Sequence, residues 1–375
     1  MLKINQAKKI ALQDLRACYE PLGIVAGRHH FTDYWARDGF FAALGSLAVG
    51  DQKIVQQMVE LFLNYQRDDG LIPYRIMRGP VTIGKYFGKP KFYKTPRPTY
   101  RLRNFGPEVL DGTTLCLLLF TKLSFQGWHK TKKYLPQIKK ALQFLETKEK
   151  HGLLWDGVMA EWNDVTWKWG NLLYSNVIYW KALQELANYY QKIKHPDRQK
   201  LENKHQQIAQ ALRERLWNGE FFADWHDYQR QDYFYSFGNC LAIAWELTNQ
   251  SETESILAKC ETVKIHFTLD TNHPKYPWWR VDLINHLGGV KDYQNKGILW
   301  WHPANAYLKA LLIAGKKQQA SEQVTKMAEE ILNNGIYECY ERNGRPVKRL
   351  LYQSEKPFAW SAGMIVDAFD QYQKV

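Results

Sequence analysis

The chain has 375 residues, of which 45% are hydrophobic, and it carries a formal net charge of +13. This composition excludes a mostly disordered chain, because enough apolar side chains are present to form a core. The densest apolar run, Leu115–Phe120, is far shorter than the roughly 18 residues that a membrane helix needs. No apolar signal region precedes the first elements, and the five scattered cysteines show no CxxC spacing. We therefore expect a cytoplasmic protein that neither enters a membrane nor relies on disulfides.

Apolar periodicity predicts about a dozen helices along the chain. In chain order they are Asn5–Cys18, Trp35–Val49, Gln52–Gln66, Asp111–Ser124, a helix through Leu135 and Leu145, Leu172–Tyr190, a helix through Ile208 and Leu216, Asn239–Leu247, Glu252–Thr262, Ala304–Ala314, Gln318–Asn333 and Trp360–Tyr372. Connections alternate between short and long, and no linker divides the chain. These features favour one all-α domain, residues 1–375, built as an (α/α) toroid whose loops shape a pocket at one end. The helix pattern alone does not distinguish a toroid from a helical-repeat solenoid.

One segment has a clear strand pattern, and another is an unusual loop. Tyr337–Val347 centres on Asn343-Gly344, which predicts a hairpin with a two-residue turn. Arg78–Arg103 holds eight Lys or Arg, four Pro and no acid. Long loops of this kind are functional or disordered. The segment is therefore either a solvated insertion or a lid or anion-binding edge.

Aromatic residues make up 14% of the chain, with 15 Trp and 22 Tyr. Their flat apolar faces with polar edges pack in cores, and they also suit sugar rings and nucleobases. Combined with the positive charge, they point to either carbohydrate or single-stranded nucleic acid as the ligand. Composition does not distinguish these two ligands, so the choice between them depends on the motifs.

Two acids occur where apolar helices begin. Asp38 follows Arg37 at the start of the Trp35–Val49 helix, and Asp111 precedes another apolar helix. Each acid could simply cap its helix. The alternative for the first pair is a pocket rim, in which the carboxylate accepts sugar hydroxyls, the guanidinium donates to them and Trp35 offers a stacking face.

A second group of acids lies among tryptophans. Asp164 stands between Trp162 and Trp167, and Glu161 comes just before them. A carboxyl group against indole rings is poorly solvated when charged, so its pKa rises, as a general acid near neutral pH requires. Glu161 could play the same part, and a capping or salt-bridged loop acid is the alternative for both.

The predicted hairpin carries two further acids. Glu338 and Glu341 point to opposite faces of its first strand, and either could be a general base. In the preceding loop His302 follows Trp301, but no cysteine or second histidine accompanies it. No nucleotide-binding fingerprint or HExxH motif is present either. We therefore expect no metal and no cofactor.

The order of these motifs resembles one enzyme family. The motifs are WARDGFFAALG, WNDVTWKWGNLLYSNVIYWKAL, LWNGEFFADW with FGNCLAIAWEL, DYQNKGILWW, and YECYERNGRPVKR with KPFAWSAGMIVDA. They are similar, in the same order, to those of the amylo-α-1,6-glucosidase part of glycogen-debranching enzymes and of related glucoamylase-like and alkaline/neutral-invertase-like glycosidases. The resemblance runs from Trp35 to Ala368 and implies an (α/α)6 barrel of six helical hairpins.

The resemblance also implies roles for particular residues. Asp164 corresponds to the general acid that protonates the glycosidic oxygen, and Glu338 to the base that activates water. Arg37 and Asp38 resemble the pair that grips the non-reducing sugar, and Asp111 falls where the family has another sugar-binding acid. The implied activity is inverting hydrolysis of an α-glucoside or a related α-glycoside.

Further side chains are expected around the sugar. The residues that the resemblance and the local pattern place there are Trp35, Glu161, Trp162, Trp301, His302 and Trp360. The expected partner is a carbohydrate, and nucleic acid is disfavoured. Two alternatives stay open: hydrolysis of a phosphorylated or carboxylated sugar conjugate, and a toroid that binds glycan or nucleic acid without catalysis.

Overall fold

A computed structural model describes residues 1–79, 92–287 and 289–375. Residues 80–91 of the basic segment, including Lys85, Lys89 and Lys91, lie outside the described residues, so the assignment of the segment as an insertion or a lid stays a prediction. The α-helices of the described part are Leu2–Ala17 (α1), Ala36–Ala48 (α2), Gln52–Asn64 (α3), Asp111–Phe125 (α4), Thr131–Thr147 (α5), Leu173–Lys192 (α6), Arg198–Leu216 (α7), Ser236–Ala244 (α8), Gln250–Thr262 (α9), Leu283–Leu287 (α10), Trp301–Ile313 (α11), Lys317–Asn334 (α12) and Ala359–Lys374 (α13). Two short 3-10 helices span Leu102–Asn104 and Trp278–Arg280. Across this part of the chain no helix has both the length and the apolarity to cross a membrane.

The helices form a closed double ring. Helices α2, α4, α6, α8, α11 and α13 each pack on the next, and α13 packs on α2, which closes an inner ring of six. Helices α1, α3, α5, α7, α9 and α12 alternate with them along the chain and cover the outside. The predicted all-α (α/α)6 toroid is confirmed. A solenoid is excluded, because the last inner helix of a solenoid would not contact the first.

Glycines allow the ring to close. A Cβ atom at Gly45 on α2 would lie 2.1 Å from the carbonyl oxygen of Gly363 on α13, and a Cβ atom at Gly363 would lie 2.4 Å from the Cα of Ala42. Real Cβ contacts are never so short, so only glycine permits the two backbones to approach this closely.

Burial separates the two rings as the sequence pattern suggests. Helix α4 buries thirteen of its fifteen residues, from Asp111 to Ser124, because it is surrounded by protein on all sides. Helix α7 is nineteen residues long but buries only Leu201, Ile208, Leu212 and Leu216, a single stripe at helical spacing. Helices without a polar face are thus inner helices, and those with one apolar stripe are outer helices.

Short antiparallel strands join the helices. A four-stranded sheet has the order Asn272–His273, Arg230–Tyr235, Ala223–His226, Asn171–Leu172, and a three-stranded sheet has the order Tyr34–Trp35, Arg75–Met77, Arg97–Thr99. The remaining pairs are Tyr19–Glu20 with Gly23–Ile24, Glu149–Lys150 with Leu153–Leu154, Lys264–Ile265 with Thr268–Leu269, Leu299–Trp300 with Cys339–Tyr340, and Lys348–Arg349 with Tyr352–Gln353. Four inner helices, α2, α6, α8 and α11, begin directly after a strand. The strands therefore gather where the inner helices begin.

The hairpin region near the C-terminus differs in detail from the prediction. Cys339–Tyr340 pairs with Leu299–Trp300, and a bridge between Tyr340 and Pro346 is the β-contact across the Asn343-Gly344 turn. Among the turn residues only Gly344 has a positive φ, of 81°. A two-residue type I′ turn needs positive φ at both central residues, so the chain forms a longer turn, closed by a hydrogen bond from the Gly344 N–H to the Glu341 carbonyl.

Candidate active site

A cavity of about 230 Å³ opens at the end of the ring where the inner helices begin. We call it the central cavity. It is lined by Phe31, Trp35, Arg37, Asp38, Trp162, Asp164, Asn285, Val290, Tyr293, Gln294, Trp300, Glu338, Tyr352, Phe358 and Trp360. The seven of these that the sequence singled out are Trp35, Arg37, Asp38, Trp162, Asp164, Glu338 and Trp360. Segments far apart in the chain thus bring two candidate catalytic acids to one cavity.

Glu338 is held at the cavity wall by two phenols. Tyr293 donates a hydrogen bond to its Oε1 and Tyr352 to its Oε2, while the Glu355 N–H lies 3.3 Å from Oε2. Its side chain is buried apart from its face on the cavity. Burial raises the pKa of Glu338 to about 7, although the two phenols oppose the rise. Near neutral pH this carboxyl group can therefore both accept and release a proton.

Gln294 holds the carboxyl group of Asp164. The Gln294 Nε2 donates to Asp164 Oδ1 at 3.1 Å and to the Trp162 carbonyl at 2.7 Å, and the Gln294 Oε1 accepts from the Val165 N–H at 3.1 Å. Burial raises the pKa of Asp164 above its ordinary value, while Arg37 and Gln294 oppose this. A carboxyl group with a raised pKa in a cavity has the property required of a general acid.

Arg37 and Asp38 occupy the first turn of α2. The guanidinium group of Arg37 pairs with Asp111, which also lies 3.3 Å from the hydroxyl of Tyr174. Burial alone would lower the pKa of Arg37, but Asp111 and Tyr174 more than offset this and the pKa is raised. Burial raises the pKa of Asp38 to about 7, against the effect of Arg37. Asp111 was expected to contact sugar, but it lies behind Arg37 and orients that guanidinium group instead.

Comparison with known families identifies the chain. The sequence profile of the amylo-alpha-1,6-glucosidase family matches residues 13–367, nearly the whole chain. The chain belongs to the amylo-alpha-1,6-glucosidase family. It is therefore a glycoside hydrolase, as the order of its motifs indicated. No curated protein matches the sequence.

Several solved structures share the fold of this amylo-alpha-1,6-glucosidase family member. The GH63 mannosylglycerate hydrolase of Thermus thermophilus in complex with Tris is 14% identical, with a TM-score of 0.70 over 96% of this chain and 99% of that chain. Its complex with glucose is 13% identical, with a TM-score of 0.69 over the same shares. The rhamnosidase of Klebsiella oxytoca with rhamnose bound is 14% identical, with a TM-score of 0.68 over 100% of this chain and 64% of that chain. At these identities the likeness shows the fold alone.

Glu161, the other acid beside Trp162, does not line the central cavity. It is fully buried and pairs with Lys168, whose Nζ also lies 3.0 Å from Asp224 Oδ1. All three side chains are buried, and Tyr276 donates a hydrogen bond to Asp224. Burial raises the pKa of Glu161 although Lys168 opposes it. Of the two acids beside Trp162, geometry therefore places Asp164 at the cavity and Glu161 in a structural ion cluster.

Replacing the cation of this cluster is expected to destabilise the fold. Lys168→Met leaves Glu161 and Asp224 facing each other without a counter-charge, which costs about 3–5 kcal/mol of unfolding free energy when a buried pair is broken. Burial already raises the pKa of Glu161, and the variant removes the Lys168 charge that opposes this rise. The loss should therefore be largest at pH 8 and shrink as the pH falls and Glu161 takes up a proton.

Urea denaturation at pH 8 and pH 5 measures this effect. The matched control is Lys181→Met, which removes a partly exposed i,i+4 pair with Glu185 at 3.1 Å and should cost less than about 1 kcal/mol. If Lys168→Met lowered the free energy of unfolding no more than the control does, the assignment of the cluster as a structural element would be contradicted.

The tryptophan pair at the start of α11 is placed differently from the prediction. Trp300 lines the central cavity, whereas Trp301 is fully buried, donates a hydrogen bond from Nε1 to the Tyr340 hydroxyl at 3.0 Å and packs on Phe267 at 4.2 Å. Helix α11 begins at Trp301, three residues earlier than predicted, because Pro303 is tolerated in a first turn. The prediction that Trp301 lines the pocket was therefore wrong, and its neighbour Trp300 lines the central cavity instead.

His302 lies behind the aromatic wall. Its ring stacks on Trp360 at 4.9 Å and meets Trp162 edge-on at 4.2 Å. Burial, together with Arg37, holds its pKa well below the usual range, so the imidazole is neutral. It was expected to contact sugar, but it is buried and does not line the cavity; it supports the two indoles that do.

Several cavity residues were missed by sequence reasoning. Tyr293 and Gln294 lie inside the DYQNKGILWW motif. The motif therefore indicated this segment, but it did not indicate which acid each residue would bind. Tyr352 lies in the second strand of the last hairpin and carries no motif, so nothing in the sequence links it to Glu338. The other lining residues that were not predicted are Phe31, Asn285, Val290, Trp300 and Phe358.

Proposed function

We propose that this glycoside hydrolase cleaves an α-glucoside with inversion at the anomeric carbon, with Asp164 as the general acid and Glu338 as the general base. The observation that carries the proposal is that both carboxyl groups face one small cavity and both have raised pKa values. Each carboxyl group also has its own hydrogen-bonded support, from Gln294 and from the two phenols respectively. Titratable groups with perturbed pKa values in a cleft are what acid–base chemistry requires.

The reaction needs a proton donor on one side of the sugar and a proton acceptor on the other. Protonated Asp164 gives its proton to the glycosidic oxygen as the bond from that oxygen to the anomeric carbon breaks. Glu338 takes a proton from a water molecule, whose oxygen bonds to the opposite face of the same carbon. Two carboxyl groups about 6.5–9.5 Å apart leave room for that water. The free sugar leaves with inverted configuration, and proton exchange with solvent restores both acids.

The remaining cavity residues suit the binding of one sugar ring. Arg37 can donate to hydroxyl groups, and Asp38 can accept from them when ionised. The indoles of Trp35, Trp162 and Trp360 offer apolar faces to the C–H groups of a pyranose. A volume of about 230 Å³ lies below the range of drug-sized pockets, which supports a single sugar in the innermost position.

An anionic sugar conjugate is the second candidate, and the charges of the cavity disfavour it. Among the described residues that line the cavity, Asp38, Asp164 and Glu338 are acids and Arg37 is the one cation, which Asp111 already engages. When Asp38 and Glu338 are ionised, an added anion would meet more negative than positive charge from these residues. Family membership also sets aside the alternative of a toroid without catalysis.

Release of free sugar from a panel of α-glucosides, α-mannosides, trehalose, sucrose and glycerate conjugates tests the proposal. We expect turnover on at least one neutral α-glucoside. Turnover confined to the glycerate conjugates would replace the proposed substrate class with the anionic one. A single catalytic domain over residues 1–375 and a cytoplasmic location stay predictions from the sequence.

A further inference from the structure

Glu355 is a buried carboxyl group beside Glu338 that the mechanism does not use. Its side chain is 1% exposed and does not line the central cavity. Its Oε1 accepts hydrogen bonds from the backbone N–H groups of Arg28 at 2.8 Å and of His29 at 2.6 Å, and its Oε2 accepts one from His30 at 2.7 Å. Three donors thus converge on one carboxylate, and hydrogen bonds to an ionised acceptor are among the strong ones.

The backbone of Glu355 contacts the general base at two points. The Glu338 N–H donates to the Glu355 carbonyl at 3.0 Å, and the Glu355 N–H lies 3.3 Å from Glu338 Oε2. One residue therefore contacts both the main chain and the carboxyl group of Glu338. The position of the base in the cavity wall accordingly depends on where the main chain of Glu355 is fixed.

The side chain of Glu355 fixes that main chain where the ring closes. Gly27, in the segment before α2, forms a β-bridge with Phe358, in the segment before α13. The rings of Phe31 and Phe358, which both line the central cavity, meet edge-on with their centres 6.1 Å apart. Packing is close here, since a Cβ atom at Gly27 would lie 2.5 Å from Glu355 Cγ. The carboxylate thus ties together two segments that carry walls of the cavity.

Glu355 has no ion-pair partner among the described residues. The guanidinium group of its neighbour Arg28 engages Glu20 and the Ala17 carbonyl instead. Burying a charge costs stability unless the charge is both paired and hydrogen-bonded, so stability alone does not explain a carboxylate at this position. Its effect on the base does explain it. Burial raises the pKa of Glu338 to about 7, and the nearby charge of Glu355 adds to that rise.

We propose that Glu355 is a positioning residue for Glu338: its backbone holds the carboxyl group of the base, and its side chain anchors that backbone to the loop of residues 28–30. The inference rests on the proposed function, which gives Glu338 the role of general base. Removing the Glu355 charge should let the base ionise at a lower pH. Removing the anchor should misplace the base relative to the water that it activates.

The other titratable side chains around the two carboxyl groups do not account for such a shift. Beside Glu338 they are Tyr293, Tyr352 and Cys339, and beside Glu355 they are Cys18, Arg28, His29 and His30. Burial raises the pKa of both phenols and both thiols, so these four groups stay neutral through pH 9. The arginine and the two histidines are present in every variant below, so their effect is common to all.

The pH profile of Glu355→Gln tests the inference. The acidic limb of kcat/KM on the α-glucoside substrate should move to lower pH by at least about 0.5 unit, because a like charge beside the base is gone. On the plateau kcat should fall about tenfold, because a displaced base no longer aligns with its water. Glu355→Asp keeps the charge but is too short to hold all three N–H groups. It should lose kcat similarly and keep the acidic limb at the wild-type pH.

Glu341→Gln is the matched control for the loss of charge. It removes a carboxylate three residues from Glu338, but that carboxylate is paired with Arg349 at 2.7 Å, so the acidic limb should stay in place. If Glu355→Gln moved the limb no further than this control, Glu355 would have a purely structural role and the inference would be overturned. A limb moved as far by Glu355→Asp would overturn it as well.

Gly27→Ala tests the anchor even if Glu355→Gln does not fold. The added Cβ pushes on the Glu355 side chain from outside the cavity and removes no charge. We expect a folded protein with kcat about tenfold below wild type. Wild-type kcat in Gly27→Ala would contradict an anchor that positions the base.

Titration of Glu338 itself separates this inference from the proposed function. In protein labelled with carbon-13 glutamate, the carboxyl resonance that is absent from Glu338→Gln reports the pKa of the base without catalysis. A lower pKa in Glu355→Gln supports the inference even if no α-glucoside is hydrolysed, a result that would reject the proposed function. An unchanged pKa in an enzyme that hydrolyses α-glucosides rejects the inference while the proposed function stands.

Discussion

Glu338→Gln is expected to lower kcat on the α-glucoside substrate by about 10³-fold or more, with the fold retained. The amide cannot take the proton from water, and general base catalysis contributes about 10²–10⁴-fold. Because the pKa of Glu338 is about 7, wild-type activity should rise with pH through that value as the base ionises. This acidic limb of the pH profile should be absent from the residual activity of the variant. Steady-state kinetics from pH 5 to 9 measure both effects.

The hairpin supplies a matched control for this variant. Glu341 lies three residues further on and pairs with Arg349 at 2.7 Å, away from the central cavity. Glu341→Gln should keep kcat within a few-fold of wild type. If Glu341→Gln lost activity while Glu338→Gln kept it, the base assignment would be reversed. Near-wild-type activity in both variants would reject a base on this hairpin altogether.

Asp164→Asn is expected to lower kcat by about 10²–10⁴-fold on substrates with a poor leaving group. The asparagine cannot protonate the glycosidic oxygen, but a 2,4-dinitrophenolate group leaves without a proton. The loss on 2,4-dinitrophenyl α-glucoside should therefore be much smaller than the loss on an oligosaccharide. The pKa of Asp164 is raised, so wild-type activity should fall as the pH rises through it, and the variant should lack this alkaline limb. A loss independent of the leaving group would show that Asp164 is not the acid.

Glu161→Gln distinguishes the two acids of this loop. Glu161 is paired with Lys168 inside the protein, so its replacement should lower stability and leave the leaving-group dependence and the alkaline limb intact. If Glu161→Gln showed the leaving-group dependence instead, the acid would be Glu161. Thermal unfolding measures the loss of stability. Kinetics on the oligosaccharide and on 2,4-dinitrophenyl α-glucoside measure the leaving-group dependence.

Local patterns in the sequence predicted most of the fold and the two acids. Helices with apolar residues at regular spacing were found within a few residues of their ends, because burial of one face is a local signal. Asp164 and Glu338 were singled out by their neighbours and by motif order, and both line the central cavity. The closure of the ring was not readable from helix spacing, since it depends on Gly45 meeting Gly363 across the whole chain.

The errors concern side-chain direction and partners from distant segments. Trp300 and Trp301 are adjacent, and only the start of α11 decides which of them faces the cavity. Asp111 was read as a sugar ligand, but Arg37 covers it, a contact between residues 74 positions apart. Tyr352 binds Glu338 from a hairpin with no motif of its own. Such contacts depend on tertiary packing, which periodicity does not encode.

The anomeric configuration of the first product tests the central claim most directly. Proton NMR spectra recorded during the first minutes of α-glucoside hydrolysis, before mutarotation, resolve the two anomers of the released sugar. We predict that β-glucose forms first, because water activated by Glu338 attacks the face opposite the leaving group protonated by Asp164. Initial release of α-glucose would mean a retaining mechanism and would contradict the general-base role assigned to Glu338.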